Sequence, residues 1–406
     1  MAEEVVSKQS FSDTHLAHVP GTVILDDDAA HTEGTTAGLK HGSGRDAHIV
    51  LNPQPSEDPN DPLNWPIWKK EMVVAVLCFG GMLNTAVNGP FLNASYSSIA
   101  TDLHDSLTTV VLVSGYNLLI AGATGPFICA FSRKYGKRPV FLASTLFDII
   151  GTALGEAKVS YKYLLAARVI QGMATSAFES LTVAAIGDMF FVHQRGSRVA
   201  LINFILNTAS SLASIICGVV FSRLGWRWLF HLFQIFLVIQ FVVMFLFCPE
   251  TTYIRDSRYD LDTAKDEKLT ELAEVEQTYR QKNHEDAEKT NTTFVVPRKT
   301  FVQELAVFTG TYHRDWMLKD LLGPFLTLLN PAAAYAVLCS GLLNAWYVGT
   351  AIVISGIFAG APWHFDAAAV GYVGTGPFVG GLLASILTLF AGDPVIKALG
   401  RRNKGV

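Results

Sequence analysis

Apolar and polar positions are sharply segregated along this chain of 406 residues. A polar opening of about seventy residues is followed by long apolar stretches with short polar breaks, and a second polar block interrupts them at 249–330. A bilayer core about 30 Å thick needs about 20 apolar helical residues. Eight stretches meet that need, at 72–90, 108–131, 138–157, 163–190, 198–221, 227–248, 332–358 and 369–391. They predict an all-α membrane protein with about eight transmembrane helices.

The polar blocks read differently from one another. Residues 1–60 mix Gly, Ser, Thr and Asp with five of the eleven histidines, and suit a disordered cytoplasmic tail. The irregular spacing of those histidines gives no metal site. No basic segment followed by an apolar core opens the chain as a secretory leader would. Residues 61–71 form an interfacial anchor, with Trp65 and Trp68 for the headgroup layer and Lys69 and Lys70 for the cytoplasmic face. Within 249–330, eleven acidic and seven basic residues between Arg255 and Lys289 mark a solvated linker, with a helical portion around 263–282. Residues 300–329 differ, because Phe301, Leu305, Phe308, Trp316, Leu318 and Leu321 recur near helical spacing. That part suits an amphipathic segment on the inner leaflet.

Charge sets the orientation. Arg133, Lys134, Lys137 and Arg138 follow the second stretch, Arg195 and Arg198 follow the fourth, and Lys397, Arg401, Arg402 and Lys404 follow the eighth. Short basic loops stay in the cytoplasm, so both termini of this multi-pass protein are expected there; the plasma membrane is the expected location. The Asn93-Ala94-Ser95 sequon then lies outside, which makes Asn93 a glycosylation candidate. Asn291 in the linker stays inside. Only 16% of residues are charged, against about a quarter in soluble proteins, and the net charge of −4 gives no nucleic-acid footprint. The single cysteines 78, 129, 217, 248 and 339 suggest packing rather than metal, redox or disulfide chemistry. No nucleophile–base pair, metal spacing or phosphate loop points to an enzyme or a cofactor.

Ionisable groups inside apolar spans are costly, about 2.5–3.5 kcal/mol each on insertion scales, and so mark function by default. Arg168 and Glu179 sit 11 residues apart in the fourth stretch. At 100° per residue they share one face, about 16 Å apart along the axis. A carboxyl there can load and release a proton, or it can serve helix packing. Asp148 in the third stretch can join a relay or pair silently. Asn84 and Asn88, one turn apart, can touch a substrate or bond to neighbouring helices. Trp346 and Tyr347 in the seventh stretch can line a cavity for aromatic or cationic molecules, or simply pack. The basic loop 133–138 can latch helices together, with Asp188 and Arg195 as partners.

The second group of spans restarts the first. Residues 72–138 and 331–402 both run span, outer loop, span, basic loop at nearly equal length. Repeated halves joined by a cytoplasmic insertion are the plan of one class of secondary transporters. Several motifs carry a more specific resemblance. Asp61-Pro62-Leu63-Asn64-Trp65-Pro66 precedes the first span, Ser132-Arg133-Lys134-Tyr135-Gly136-Lys137-Arg138-Pro139 joins the second and third, and Arg168-Val169-Ile170-Gln171-Gly172 fits R-x-x-Q-G in the fourth. Ser176-Ala177-Phe178-Glu179, His193-Gln194-Arg195-Gly196, Gly225-Trp226-Arg227-Trp228 and Pro249-Glu250-Thr251 follow in order. From about Asp58 onward the chain resembles the major facilitator superfamily, specifically fungal twelve-span drug:proton antiporters.

The resemblance implies a complete N-terminal six-helix bundle at 72–248 and a partial C-terminal bundle at 331–406, four spans short of the family's plan. It implies secondary transport of a small organic molecule, proton-coupled export of drugs or toxic metabolites first and nutrient uptake second. A truncated, non-transporting protein is the competing reading. Proton-coupling candidates are Glu179, Arg168 and Asp148. Cavity candidates are Asn84, Asn88, Gln171, Trp346 and Tyr347. Gating candidates are Arg133, Lys134, Gly136, Lys137, Arg138, Asp188 and Arg195. The partners implied are the bilayer, a small-molecule substrate and the proton. Two positions depart from the family. Arg133 stands where its signature loop has an Asp, and the fifth span at Ser211–Gly218 lacks the usual proline.

Overall fold

Eight helices of the computed structural model are long and apolar enough to cross a bilayer, and each overlaps one of the eight predicted stretches, three of which, within the described residues, run one to three residues past the end of their helix. Residues 40, 51, 53–56, 58–255, 297–313 and 316–387 are described. The tail 1–60, the linker helix at 263–282, Asn291 and the basic end therefore lie wholly or mostly outside the described residues. Residues 57–254 with 296–386 form one unit. In the second unit, Gln54 accepts from the Lys40 backbone N–H at 2.9 Å and donates to the Leu51 carbonyl at 2.7 Å.

The first span, α1, runs Ile67–Gly81 and continues through a π-helical stretch, Met82–Val87. It begins five residues before the expected start, inside the presumed anchor. Pro66 ends the extended approach, and Lys69 and Lys70 are helical and buried against protein. Their charges are met locally: Lys69 Nζ pairs with Glu304 at 2.7 Å and lies over the Trp65 ring, and Lys70 Nζ donates to the Leu63 carbonyl at 2.8 Å. A short helix α2 (Tyr96–Leu103) leads to α3 (Leu107–Tyr135), capped by the Ser106 hydroxyl. Then come α4 (Lys137–Ala157), α5 (Tyr161–Met189), α6 (Val192–Leu224) and α7 (Trp226–Phe247). The tight corners α3–α4 and α6–α7 turn on Gly136 (φ 96°) and Gly225 (φ 87°), a backbone region that a Cβ disfavours.

Beyond the masked linker lie α8 (Phe301–Glu304), α9 (Met317–Thr327), α10 (Pro331–Ala359), α11 (Ala367–Tyr372) and α12 (Thr375–Leu387). Asn330 caps α10 and Pro331 opens it, the arrangement that suits a helix start. The span α11–α12 meets α6 through glycines. A Cβ on Gly371 would sit 2.8 Å from the Ser214 carbonyl oxygen, so the two backbones approach without side chains between them.

Burial divides the six-helix bundle into layers. One apolar cluster joins Val73, Leu77, Phe141, Phe178, Ile186 and Met244, and a second joins Phe91, Tyr96, Val110, Leu164, Phe230 and Leu237. Along α5 the order is Leu164, then Arg168, Gln171 and Thr175, then Phe178. A buried polar layer is thus held between two apolar clusters. The outer stripe of α7 is the reverse of a soluble surface: Ile235, Phe236, Ile239 and Val242 are exposed, which suits lipid tails.

Candidate functional site

Arg168 is the centre of the polar layer. It is fully buried, and α5 presents it to the π stretch of α1, a local widening that often marks functional positions. Its Nη1 donates to the Asn88 carbonyl at 2.9 Å, to Asn88 Oδ1 at 2.8 Å and to Gln171 Oε1 at 3.2 Å. Its guanidinium also lies 5.4 Å from the centre of the Phe91 ring. Asn88 Nδ2 donates to Thr175 Oγ1 at 3.1 Å, and that hydroxyl donates to the Asn84 carbonyl at 2.8 Å. Gln171 Nε2 donates to Thr152 Oγ1 on α4 at 2.9 Å, and Asn117 Nδ2 on α3 donates to the Arg168 carbonyl at 2.8 Å. The layer therefore ties α1, α3, α4 and α5.

Asp148 on α4 is fully buried within reach of the Arg168 charge and beside Gln171, and neither carboxylate oxygen meets full hydrogen-bond geometry with a described residue. Among the described residues, Arg168 Nε and Nη2 have no hydrogen-bond partner either. The guanidinium stays charged, so a proton gained or lost by the Asp148 carboxyl changes the net charge of this layer. Glu179 differs. It lies on the same stripe of α5 as Arg168, but it is exposed and makes no hydrogen bond or ion pair with any described residue.

The basic corner between α3 and α4 forms a second polar site at one end of the bundle. Glu250 caps α4, accepting from the backbone N–H of Lys137 at 3.0 Å and of Arg138 at 3.1 Å, where a helix start favours an anion. Lys137 Nζ pairs with Asp188. Arg138 is buried and donates to the carbonyls of Cys248, Phe245 and Leu305, the last two at 2.7 and 3.1 Å. Arg133 pairs with Asp320 of α9 at 3.2 Å. Arg195 donates to the carbonyls of Phe190 and Gly187 at 2.9 and 2.7 Å, so it closes the α5–α6 corner. Beside this site, burial pushes the Tyr312 phenol up from its ordinary value.

A family model described as Major Facilitator Superfamily matches residues 74–406. The chain belongs to that superfamily. It is an integral membrane protein of a family of small-molecule transporters. An uncharacterized MFS-type transporter of Schizosaccharomyces pombe is 23% identical over 97% of this chain and 72% of its own length. The MFS antiporter QDR3 of Candida albicans is 30% identical over 70% of this chain, and a multidrug transporter of Candida glabrata, TPO1_2, is 28% identical over 48%. The matches span 39% and 34% of those two relatives. Among solved structures, a peptide transporter POT in complex with sulfate resembles the chain at 12% identity and a TM-score of 0.48, over 93% of this chain and 72% of that one. The proton:xylose symporter XylE, bound to 6-bromo-6-deoxy-D-glucose, does so at 16% and 0.41, over 56% and 55%.

Within this superfamily member, the structure brings Arg168, Gln171, Asn84, Asn88 and Asp148 into one layer. It leaves Trp346 and Tyr347 exposed on α10, outside that layer. Lys134 joins the corner through its carbonyl, which accepts from the Tyr312 N–H at 2.9 Å. Thr152 and Thr175 complete the layer and were not singled out, because a threonine in a helix ordinarily bonds back to its own turn. Glu250, Glu304 and Asp320 were also missed, since their partners lie over a hundred residues away in sequence. Asn93 Oδ1 accepts from the Tyr96 hydroxyl at 3.0 Å, and Ser95 is fully buried. The sequon is packed into the fold, so Asn93 is expected to carry no glycan. Glycosidase treatment of the expressed protein should leave its gel mobility unchanged; a downward shift that Asn93→Gln abolishes would show the opposite.

Proposed function

We propose that the chain acts in proton-coupled secondary transport, exporting small organic molecules such as drugs or toxic metabolites across the plasma membrane, with both termini in the cytoplasm. The observation that carries this reading is the buried pair of Arg168 and Asp148. A charge held in a membrane interior must be compensated, and a proton on Asp148 changes what Arg168 must compensate. Glu179, on the open stripe of the same helix, is the carboxyl through which the proton reaches and leaves the layer. The relatives named antiporter and multidrug transporter agree with this direction of transport.

The test is dye movement in proteoliposomes, with rhodamine 6G as the probe and an imposed pH gradient as the only driving force. Wild type should move dye against its gradient, and Asp148→Asn should lower the gradient-driven rate about tenfold or more, equivalent to about 1.4 kcal/mol. Glu179→Gln should slow the proton-linked step while leaving dye binding in place. Dye movement that ignores the pH gradient and both substitutions overturns the proton-coupled reading. A reversed dependence on the gradient assigns uptake instead.

A further inference from the structure

We propose that α9 is a membrane-surface helix that lays its apolar face into the lipid leaflet beside the α3–α4 corner, and that Asp320 pinned to Arg133 sets which face it presents. Leu318, Leu322, Phe325 and Leu326 of α9, with Leu329 just after it, are exposed. At 100° per residue they fall within about 100° of one another, and Asp320 lies on the opposite side. Asp320 is only 3% exposed, and its two oxygens meet Arg133 Nη1 at 3.2 Å and His313 Nδ1 at 3.1 Å. The polar side of the helix is thus docked, and the apolar side has no protein over it among the described residues.

Position on the molecule identifies the occupant. The pin holds α9 where spans α3 and α4 end, and the Tyr312 N–H bonded to the Lys134 carbonyl holds the preceding segment at the same level. Three residues after α9, Asn330 caps the next span and Pro331 opens it. The apolar stripe is therefore continuous with a membrane-spanning helix at its far end and fixed to the end of two others at its near end. Trp316, 80% exposed at the start of α9, adds the residue type favoured at headgroup depth. A lipid surface meets all of these constraints.

The experiment uses the full chain in phosphatidylcholine vesicles doped with a lipid bearing a photoactivatable diazirine on its acyl chain, followed by peptide mapping. Label is expected at Leu318, Leu322, Phe325 and Leu329 and on the α7 stripe, and not at Asp320 or Met317. Asp320→Arg should spread the label around α9 and at least halve it at Leu322, and adding Arg133→Asp should restore the native pattern. An unlabelled α9 beside a labelled α7 overturns the lipid assignment and leaves the face to a protein partner. An unchanged pattern in Asp320→Arg overturns the pin. The labelling of the native chain decides the first point even if a charge variant fails to fold.

Discussion

Arg168→Met is expected to destabilise the helical bundle by about 3–5 kcal/mol, the cost of leaving one member of a buried charge pair without the other. The substitution keeps approximate side-chain volume but removes the donor to two oxygens of Asn88 and one of Gln171. It also removes the charge that faces Asp148. The Asn88 carbonyl is then the more serious loss, because Asn88 directly follows the π stretch and its carbonyl loses a charged donor in the buried layer. Combining Arg168→Met with Asp148→Asn takes both charges away and is expected to regain part of the stability, since a neutral pair needs no compensation. Thermal unfolding in detergent should rank wild type first, the double variant second and Arg168→Met last. Equal stability of the single and double variants would show that the two side chains are not coupled, and would remove the basis for the proton pair.

Arg168 also marks the boundary between what sequence reading reached and what it did not. The R-x-x-Q-G spacing places Arg168 and Gln171 one turn apart, so their partnership was legible from α5 alone. The face shared by Arg168 and Glu179 was equally legible, because it follows from helix geometry. What each residue meets was not. Glu179 points to the open side and Arg168 to α1, and that difference depends on how four helices pack. Asn84 and Asn88 were expected to share one face of a regular helix. In the π stretch, Asn84 donates to its own Gly80 carbonyl at 2.9 Å while Asn88 reaches Thr175 and Arg168. A one-residue widening of the backbone gives two similar amides different roles, and no local spacing encodes it.

The spans were legible because a hydrocarbon layer imposes a length that apolar runs must meet. The rim at the α3–α4 corner was not, for the converse reason: its charged groups are met by other protein groups, and long-range pairing decides their state. Lys69 and Lys70 read in sequence as charges for the cytoplasmic face, and only the structure shows that the partner of Lys69 is a glutamate 235 residues later. The linker is where this matters most. Its hydrophobic periodicity gave an amphipathic helix, while Glu304, Leu305, Tyr312 and Asp320 attach it to α1, α4 and α3. A polar insertion between two repeats is thereby also a strap across the ends of the first one.

Gly172→Ala is expected to cost about 1–3 kcal/mol although it adds one methyl group, while the same change at Gly122 should cost a few tenths at most. The two glycines sit on helices that pack together, but their surroundings are opposite. A Cβ at Gly172 would press on the Asn117 carbonyl oxygen and stand 3.2 Å from its carbon, whereas nothing lies within 4 Å of one at Gly122. The obstacle at Gly172 is backbone, which cannot rotate away as a side chain can, so α3 and α5 must separate. Separation stretches the bond from Asn117 Nδ2 to the Arg168 carbonyl, 2.8 Å in the native packing, and shifts the centre of the polar layer. Gly172→Ala should therefore lower both the melting temperature and gradient-driven dye movement, and Gly172→Val should lower them further. Gly122→Ala should match wild type in both. If Gly172→Ala melts like Gly122→Ala, the close approach of α3 and α5 is not what positions Arg168, and the polar layer must owe its geometry to α1 and α4 instead.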